Sequence, residues 1–248
     1  MPHEPDTNAM GGDPEPTRIP GGGAGPWAAD GAVILDVMRP TYAEVEQALL
    51  GRWSETRLDP TLDRIQALCS LMGDPQRASP VIHLTGTNGK TSTARMIDAL
   101  LRALDLRTGR FTSPHLQSMT ERICLDGEPL TEDGFVDAFA DVAAYAQIVD
   151  DSQPHPLSFF EMTVAMAFAA FADAPVDAAV VEVGLGGTWG ATNVADGQVA
   201  DVTPIAVDHV AYLGDDVVQI AGEKSGIVKA GSHLVLAEQD PEVLDVVL

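Results

Sequence analysis

The sequence predicts an α/β fold, a mostly parallel sheet flanked by helices, and three observations point to it. Apolar runs alternate with longer amphipathic segments from Pro80 onward. The segment 176–183 is a near-continuous apolar, β-branched run, the pattern of a strand buried on both faces. Residues 81–92, Val-Ile-His-Leu-Thr-Gly-Thr-Asn-Gly-Lys-Thr-Ser, join a short apolar run to a glycine-bearing turn and a helix-compatible stretch. That last order, strand then turn then helix, aims backbone N–H groups and an open helix N-terminus at one point, where a phosphate is stabilised.

The elements follow in order. Residues 1–40 hold seven glycines and seven prolines and bury too little to offset their ordering entropy, so a disordered tail is expected. A helix begins at Thr41, whose side chain can cap it with Glu44 three residues on. A second helix spans 58–71 and stops at Gly73 and Pro75. Next come a strand at 81–85, a helix at 91–104 and short strands at 110–112 and 122–125. A helix capped by Thr131 runs over 131–149, and a strongly apolar one over 158–171. The buried strand at 176–183 is followed by a strand at 199–207 interrupted by Pro204, a helix at 217–227, a strand at 233–237 and an incipient helix from Pro241. On this reading residues 41–248 form one phosphate-binding domain, incomplete at its C-terminal end because Leu248 falls inside a new helix.

Charge and cysteines narrow the function. Acidic residues outnumber basic ones 37 to 14, for a net charge of −23. So negative a body argues against nucleic-acid or anionic-membrane binding, where lysine and arginine supply the affinity. Cations inside glycine-rich loops are therefore informative. Cys69 and Cys124 lack metal-like spacing and cannot build a disulfide framework, which fits a reducing compartment. With no secretory leader and no apolar run near ~18 residues, a cytoplasmic location is the expectation.

Five segments carry candidate chemistry. Gly86, Thr87, Asn88, Gly89, Lys90, Thr91 and Ser92 form the phosphate loop; Lys90 would neutralise the β/γ-phosphates and the Thr91 hydroxyl could reach Mg²⁺. Leu84 stands where the general phosphate-loop pattern has its first glycine. Thr112-Ser113-Pro114-His115 reads, on spacing alone, as a turn. Glu182 ends the buried strand, where a carboxylate needs a cation beside it, so a metal-ligand role is favoured. His209 follows Asp208 directly after a strand, and a lone histidine there is commonly a hydrogen-bonder that Asp208 orients. Glu223-Lys224, by itself, reads as a solvated pair.

Together these stretches resemble the folylpolyglutamate synthase/dihydrofolate synthase family of the Mur ligase superfamily. The likeness rests on Gly-Thr-Asn-Gly-Lys at 86–90, Thr-Ser-Pro-His at 112–115, Glu-Arg at 121–122, Phe-Phe-Glu at 159–161 and Glu-Val-Gly-Leu-Gly-Gly at 182–187. It continues through Ala-Thr-Asn at 191–193, Asp-His with Leu-Gly at 208–214 and Glu-Lys-Ser-Gly-Ile at 223–227. The resemblance implies a monomeric ATP-dependent amide ligase with a P-loop-like central domain. ATP would phosphorylate a pteroate or folate carboxylate, and the amine of L-glutamate would attack the acyl phosphate. It further implies one Mg²⁺ at Ser113 and Glu182, a second near His209, and a carbamylated Lys224 serving as an anionic ligand. Lys90, His209 and Lys224 would be the catalytic set, and Leu157, Ser158, Phe159, Phe160, Trp189, Gly190 and Ala191 the pterin site.

The pattern departs from the family in two places. Where relatives carry Arg-x-Asp before Ala-Thr-Asn, this chain has Thr188-Trp189-Gly190, so the carboxylate that would face the pterin is missing and Thr188 cannot make the loop salt bridge. The family's second domain is also absent from the 248 residues, which predicts little ligase activity for this polypeptide alone. A non-catalytic ATP-binding remnant, or a ligase of the superfamily acting on another carboxylate, are the alternative readings.

Overall fold

The computed structural model describes residues 39–54 and 61–248. The tail expected at 1–40 lies, but for its last two residues, outside the described residues, as does the start of the helix expected at 58–71. Residues Pro40–Leu248 make one compact unit.

The chain enters through α1 (Tyr42–Leu50), where Glu44 N donates to Thr41 Oγ1 at 3.3 Å and Thr41 N to Glu44 Oε2 at 2.8 Å. The capping box read from the sequence is thus formed. Then follow α2 (Asp63–Leu71), β1 (Val81–Thr85), α3 (Lys90–Ala103), β2 (Thr108–Phe111), β3 (Ile123–Leu125) and β4 (Glu128–Pro129). The second half adds α4 (Glu132–Ser152), α5 (Phe159–Asp173), β5 (Ala178–Glu182), β6 (Val199–Val202), α6 (Val210–Leu213), α7 (Val217–Ser225), β7 (His233–Leu236) and α8 (Pro241–Val247).

The seven strands form one sheet in the order β4-β3-β2-β5-β1-β6-β7. From β2 to β7 every pairing is parallel, and β3 and β4 fold back antiparallel at one edge. Alternation along the central strands assigns the layers. Ile82, Leu84 and Val180 pack against Ala94, Ile97 and Leu101 of α3 on one face. Val81, Ala179 and Val181 pack into the larger core built from α1, α2, α4 and α5 on the other. All of β5 is buried, which explains its continuous apolar run.

Two sequence expectations are corrected, and one helix is added. The strand at 199–207 stops at Val202, because Pro204 lacks an N–H and residues 203–206 turn toward the phosphate loop. Arg122 is not in a strand; it closes a 3₁₀ turn (Met119–Arg122) capped by Ser118 and Glu121. The short helix α6 went unanticipated, four residues being too few to show a period. Other boundaries shift by up to three residues, except that the helix expected from residue 58 starts at Asp63. Among the described residues no helix is long and apolar enough to cross a membrane.

Candidate functional site

The C-terminal ends of β1, β5 and β6 converge on the turn after β1, the place where open parallel sheets take ligands. Gly86 leaves β1 with φ 135°, and Gly89 caps α3 with φ 87° and no side-chain cap. The amides of Lys90, Thr91 and Ser92 therefore lack intrahelical acceptors and open toward any anion at the helix start. Two expected phosphate donors are otherwise engaged: Thr87 N and Asn88 N donate to Pro204 O at 3.0 and 3.4 Å. In this part of the loop the amides hold the turn, and the helix start is left to receive charge.

Two amines meet at the loop mouth. Lys90 Nζ donates to Gly86 O at 3.0 Å and Lys224 Nζ to the same oxygen at 2.9 Å. Lys224 is buried, 3% exposed, which overturns its local reading as a solvated cation. Burial, then the neighbouring Lys90 charge, lowers its pKa to about 8, against the pull of Asp208 and Glu223. Burial also lowers Lys90 from the ordinary lysine value, opposed by Glu182 and Asp208. In a chain with net charge −23, this pair makes a local anion-attracting point.

Glu182, at the end of β5, is 1% exposed. Its oxygens take the Thr91 hydroxyl at 2.8 and 2.9 Å and the Ser113 amide at 3.4 Å. Burial raises its pKa above the usual carboxylate value, although Thr91 and Lys90 pull the other way. Thr91 Oγ1 and the Glu182 carboxylate thus form a pair of hard oxygen groups, with the backbone of Ser113 beside them. Among the described residues no group of three or more His, Cys, Asp or Glu side chains gathers for a metal ion. Ser113 lies in a turn with a cis bond to Pro114, as the spacing suggested, and that turn is what brings it to Glu182.

A cleft of about 370 Å³ opens beside these groups and is lined by Lys90, Ser113, Phe160, Trp189, Gly190 and His209 among others. His209 starts α6 at φ 50° with Asp208 Oδ2 3.5 Å from its Nε2. The Phe160 ring lies on Gly184, where a Cβ would come within 2.5 Å of Cζ. Ser158 and Ala191 also face the cleft. Leu157 and Phe159, expected there too, do not: Leu157 is fully buried in the core, and Phe159 is buried beneath the Arg122 guanidinium at 4.8 Å. On α5 residues 159 and 160 point about 100° apart, so only one can face the cleft.

The loop at 184–190 is tied to α7. Gly187 N and Trp189 N donate to Glu223 Oε1 at 3.2 and 3.4 Å, and the Thr188 hydroxyl donates to Glu223 O at 3.0 Å. Thr188 therefore closes this loop with a neutral bond where a salt bridge was expected to be lost. At Gly190 a Cβ would meet Leu185 O at 3.1 Å, a tight but adjustable contact.

Sequence reasoning missed a buried pair at the cleft floor. Arg64 Nε donates to both Glu161 oxygens at 3.1 and 3.3 Å, and Glu161 Oε2 also accepts Ser158 N at 2.8 Å. The Ser-x-x-Glu spacing at 158–161 signalled a helix start, and an arginine in the apolar period of α2 was the available second signal.

Comparison with known proteins matches residues 84–246 to the Mur ligase middle domain. The chain is 51% identical over 234 residues to a dihydrofolate synthase/folylpolyglutamate synthase of Mycobacterium tuberculosis, covering 89% of this chain and 48% of that protein. A solved structure of the Mycobacterium tuberculosis folylpolyglutamate synthase complexed with ADP superposes with TM-score 0.78 at 51% identity, over 83% of this chain and 47% of that one. Escherichia coli FolC in complex with DHPP and ADP gives TM-score 0.75 at 32% identity, over 84% and 49%. The chain spans about half the length of the curated relatives it matches.

Proposed function

Because this chain belongs to the Mur ligase family, through its middle domain, we propose that it supplies the nucleotide-binding wall of an ATP-dependent ligase that joins L-glutamate to a pteroate- or folate-type carboxylate through an acyl phosphate. The observation that carries this reading is the convergence of Lys90 and Lys224 on Gly86 O beside an uncapped helix start. The ADP complexes of the relatives support it.

Phosphoryl transfer between two anions needs positioned cations and donors more than covalent help from the protein. Lys90 would hold the β/γ-phosphates, with the amides of Lys90, Thr91 and Ser92 completing the cradle. Mg²⁺ fits the residues present: Glu182 with the Thr91 and Ser113 hydroxyls is the oxygen set that ion takes alongside phosphate and water, and the buried Glu182 charge faces neutral donors. When bound, the ion would neutralise charge developing on the transferred phosphoryl group. His209 at the cleft mouth is the candidate second ligand. A Lys224 amine lowered to about 8 is partly neutral near neutral pH; it can add to CO₂, forming the N–C bond and releasing a proton, which would make it an anionic ligand. Phe160 and Trp189 offer aromatic faces for a flat ring.

Saturable Mg–ATP binding by the purified chain, measured calorimetrically and weakened about 100-fold by Lys90→Met, is the expected result; no binding by the wild-type chain would overturn the proposal. Little amide formation is expected from the 248-residue polypeptide alone, since a cleft open to water cannot hold both reactants in near-attack geometry. One second reading is favoured by Thr188 and Gly190: a ligase of this family taking another carboxylate. Failure of dihydropteroate to bind, with nucleotide binding intact, would select it.

A further inference from the structure

The phosphate loop does not hold itself. Its support is the segment 203–206, which makes six hydrogen bonds, two to the end of β1 and four to the loop. Thr203 N and Thr203 Oγ1 both donate to Thr85 O, at 2.9 and 3.1 Å. Pro204 O accepts Thr87 N and Asn88 N. Ala206 exchanges bonds with the Thr87 hydroxyl, its O accepting at 2.9 Å and its N donating at 3.1 Å. The segment is irregular backbone after β6, and Pro204 cannot add an N–H to stiffen it.

What stiffens it is one side chain from the far side of β7. Gln239 Oε1 accepts Ile205 N at 2.9 Å, while its Nε2 donates to Thr203 O at 3.1 Å and more weakly to Val202 O at 3.5 Å. The amide brackets Pro204 from both sides, using its acceptor on one flank and its donor on the other. Gln239 does not line the cleft, so any effect on a ligand must pass through the segment it holds.

We propose that Gln239 is a positioning residue for nucleotide binding: it fixes residues 203–206, which fix Thr87 and Asn88 and thereby the mouth of the phosphate loop. The proposal rests on the nucleotide reading of that loop given above. Gln239 lies within the stretch matched to the Mur ligase middle domain, residues 84–246, but outside every motif that carries the sequence resemblance.

The test uses Gln239→Met, which keeps the length and removes both polar atoms, in the whole chain. Two lost neutral hydrogen bonds predict roughly 5- to 30-fold weaker Mg–ADP binding. Amide hydrogen exchange over residues 86–89 should quicken, while exchange in β5 and the melting temperature move little. A folded variant with wild-type affinity and wild-type exchange at 86–89 would overturn the proposal. So would faster exchange spread evenly over the whole domain, since that is a purely structural role. If Gln239→Met does not fold, Gln239→Glu, which keeps the acceptor for Ile205 N, takes its place with the same two readouts. Should the wild-type chain bind no nucleotide, the ligase reading falls, and exchange at 86–89 alone decides whether the brace exists.

Discussion

The two walls of the cleft are built on different principles. On the nucleotide wall nearly every polar group answers another: Gly86 O takes two amines, Pro204 O two amides, and Glu182 a hydroxyl and an amide. Elsewhere in the lining Phe160, Leu185, Trp189, Gly190 and Ala191 present mostly carbon, with Ser54, Thr61, Ser158, Tyr212 and the Arg64–Glu161 pair as polar groups among them. On the proposed function, phosphate recognition would rest largely on backbone geometry, which many side chains can decorate. Recognition of the acid would rest on a few side chains, and a single replacement such as Gly190 would redirect it.

Four measurements can break or sharpen that contrast. The largest effect concerns the residue that ties the walls together: His83 of β1 is fully buried, and its Nε2 lies 3.0 Å from Thr192 Oγ1 beyond the opposite loop. Burial lowers its pKa from 6.5 to about 3. A depressed histidine contributes stability that is fully present above pH 6.5 and is lost as pH falls toward 3, because the unfolded chain takes up the proton first. That slope amounts to roughly 4–5 kcal/mol across the window. Urea midpoints followed from pH 7 to pH 4 should fall, and His83→Asn should flatten the fall; an unchanged slope would separate the two walls.

Next, Gly86→Ala would drive its Cβ into the Thr203 hydroxyl at a backbone angle alanine avoids. A loss of about 3 kcal/mol in unfolding free energy is expected, together with loss of nucleotide binding. Third, Lys90→Met should weaken Mg–ATP binding about 100-fold without lowering the melting temperature, since it removes a desolvated charge that the fold does not need. Equal affinity would move phosphate recognition wholly onto the backbone. The smallest effect is expected at Gly190→Asp, where a slight shift of Leu185 O accommodates the Cβ. About tenfold tighter dihydropteroate binding with unchanged nucleotide affinity would assign the acid specificity to this position. Tighter binding of both would merge the walls into one.

The sequence made the first wall legible and the second only in part. Gly86, Gly89, Lys90 and Thr91 sit within six residues, so their convergence follows from one turn and one helix start. Glu182 was readable because a carboxylate closing an apolar strand is costly anywhere else. Lys224 was not readable from its own surroundings. Its burial comes from the approach of α7 to the Gly86 turn, a contact across 138 positions, and only the family likeness singled it out. Gln239, Arg64 and His83 escaped for the same reason: each is a polar residue whose partner lies 30 or more positions away. On the cleft's far wall the helical turn decided matters, giving Phe160 to the ligand side and Phe159 to the core.

The two margins of the sheet carry a practical consequence for anyone handling the isolated chain. At one side β4 is two residues long, Glu128 and Pro129, with a charge and a missing donor that discourage further pairing. At the other, β7 pairs with β6 alone among the described strands, and Val235 points out half exposed. Among the described residues no further strand pairs with that rim, so strand addition, and with it loss of material at high concentration, should begin there. A lysine at position 235 would discourage that pairing, and because Val235 shares a shallow pocket with Asn88, Gly89, Thr203 and Pro204, nucleotide affinity is the control to measure beside it.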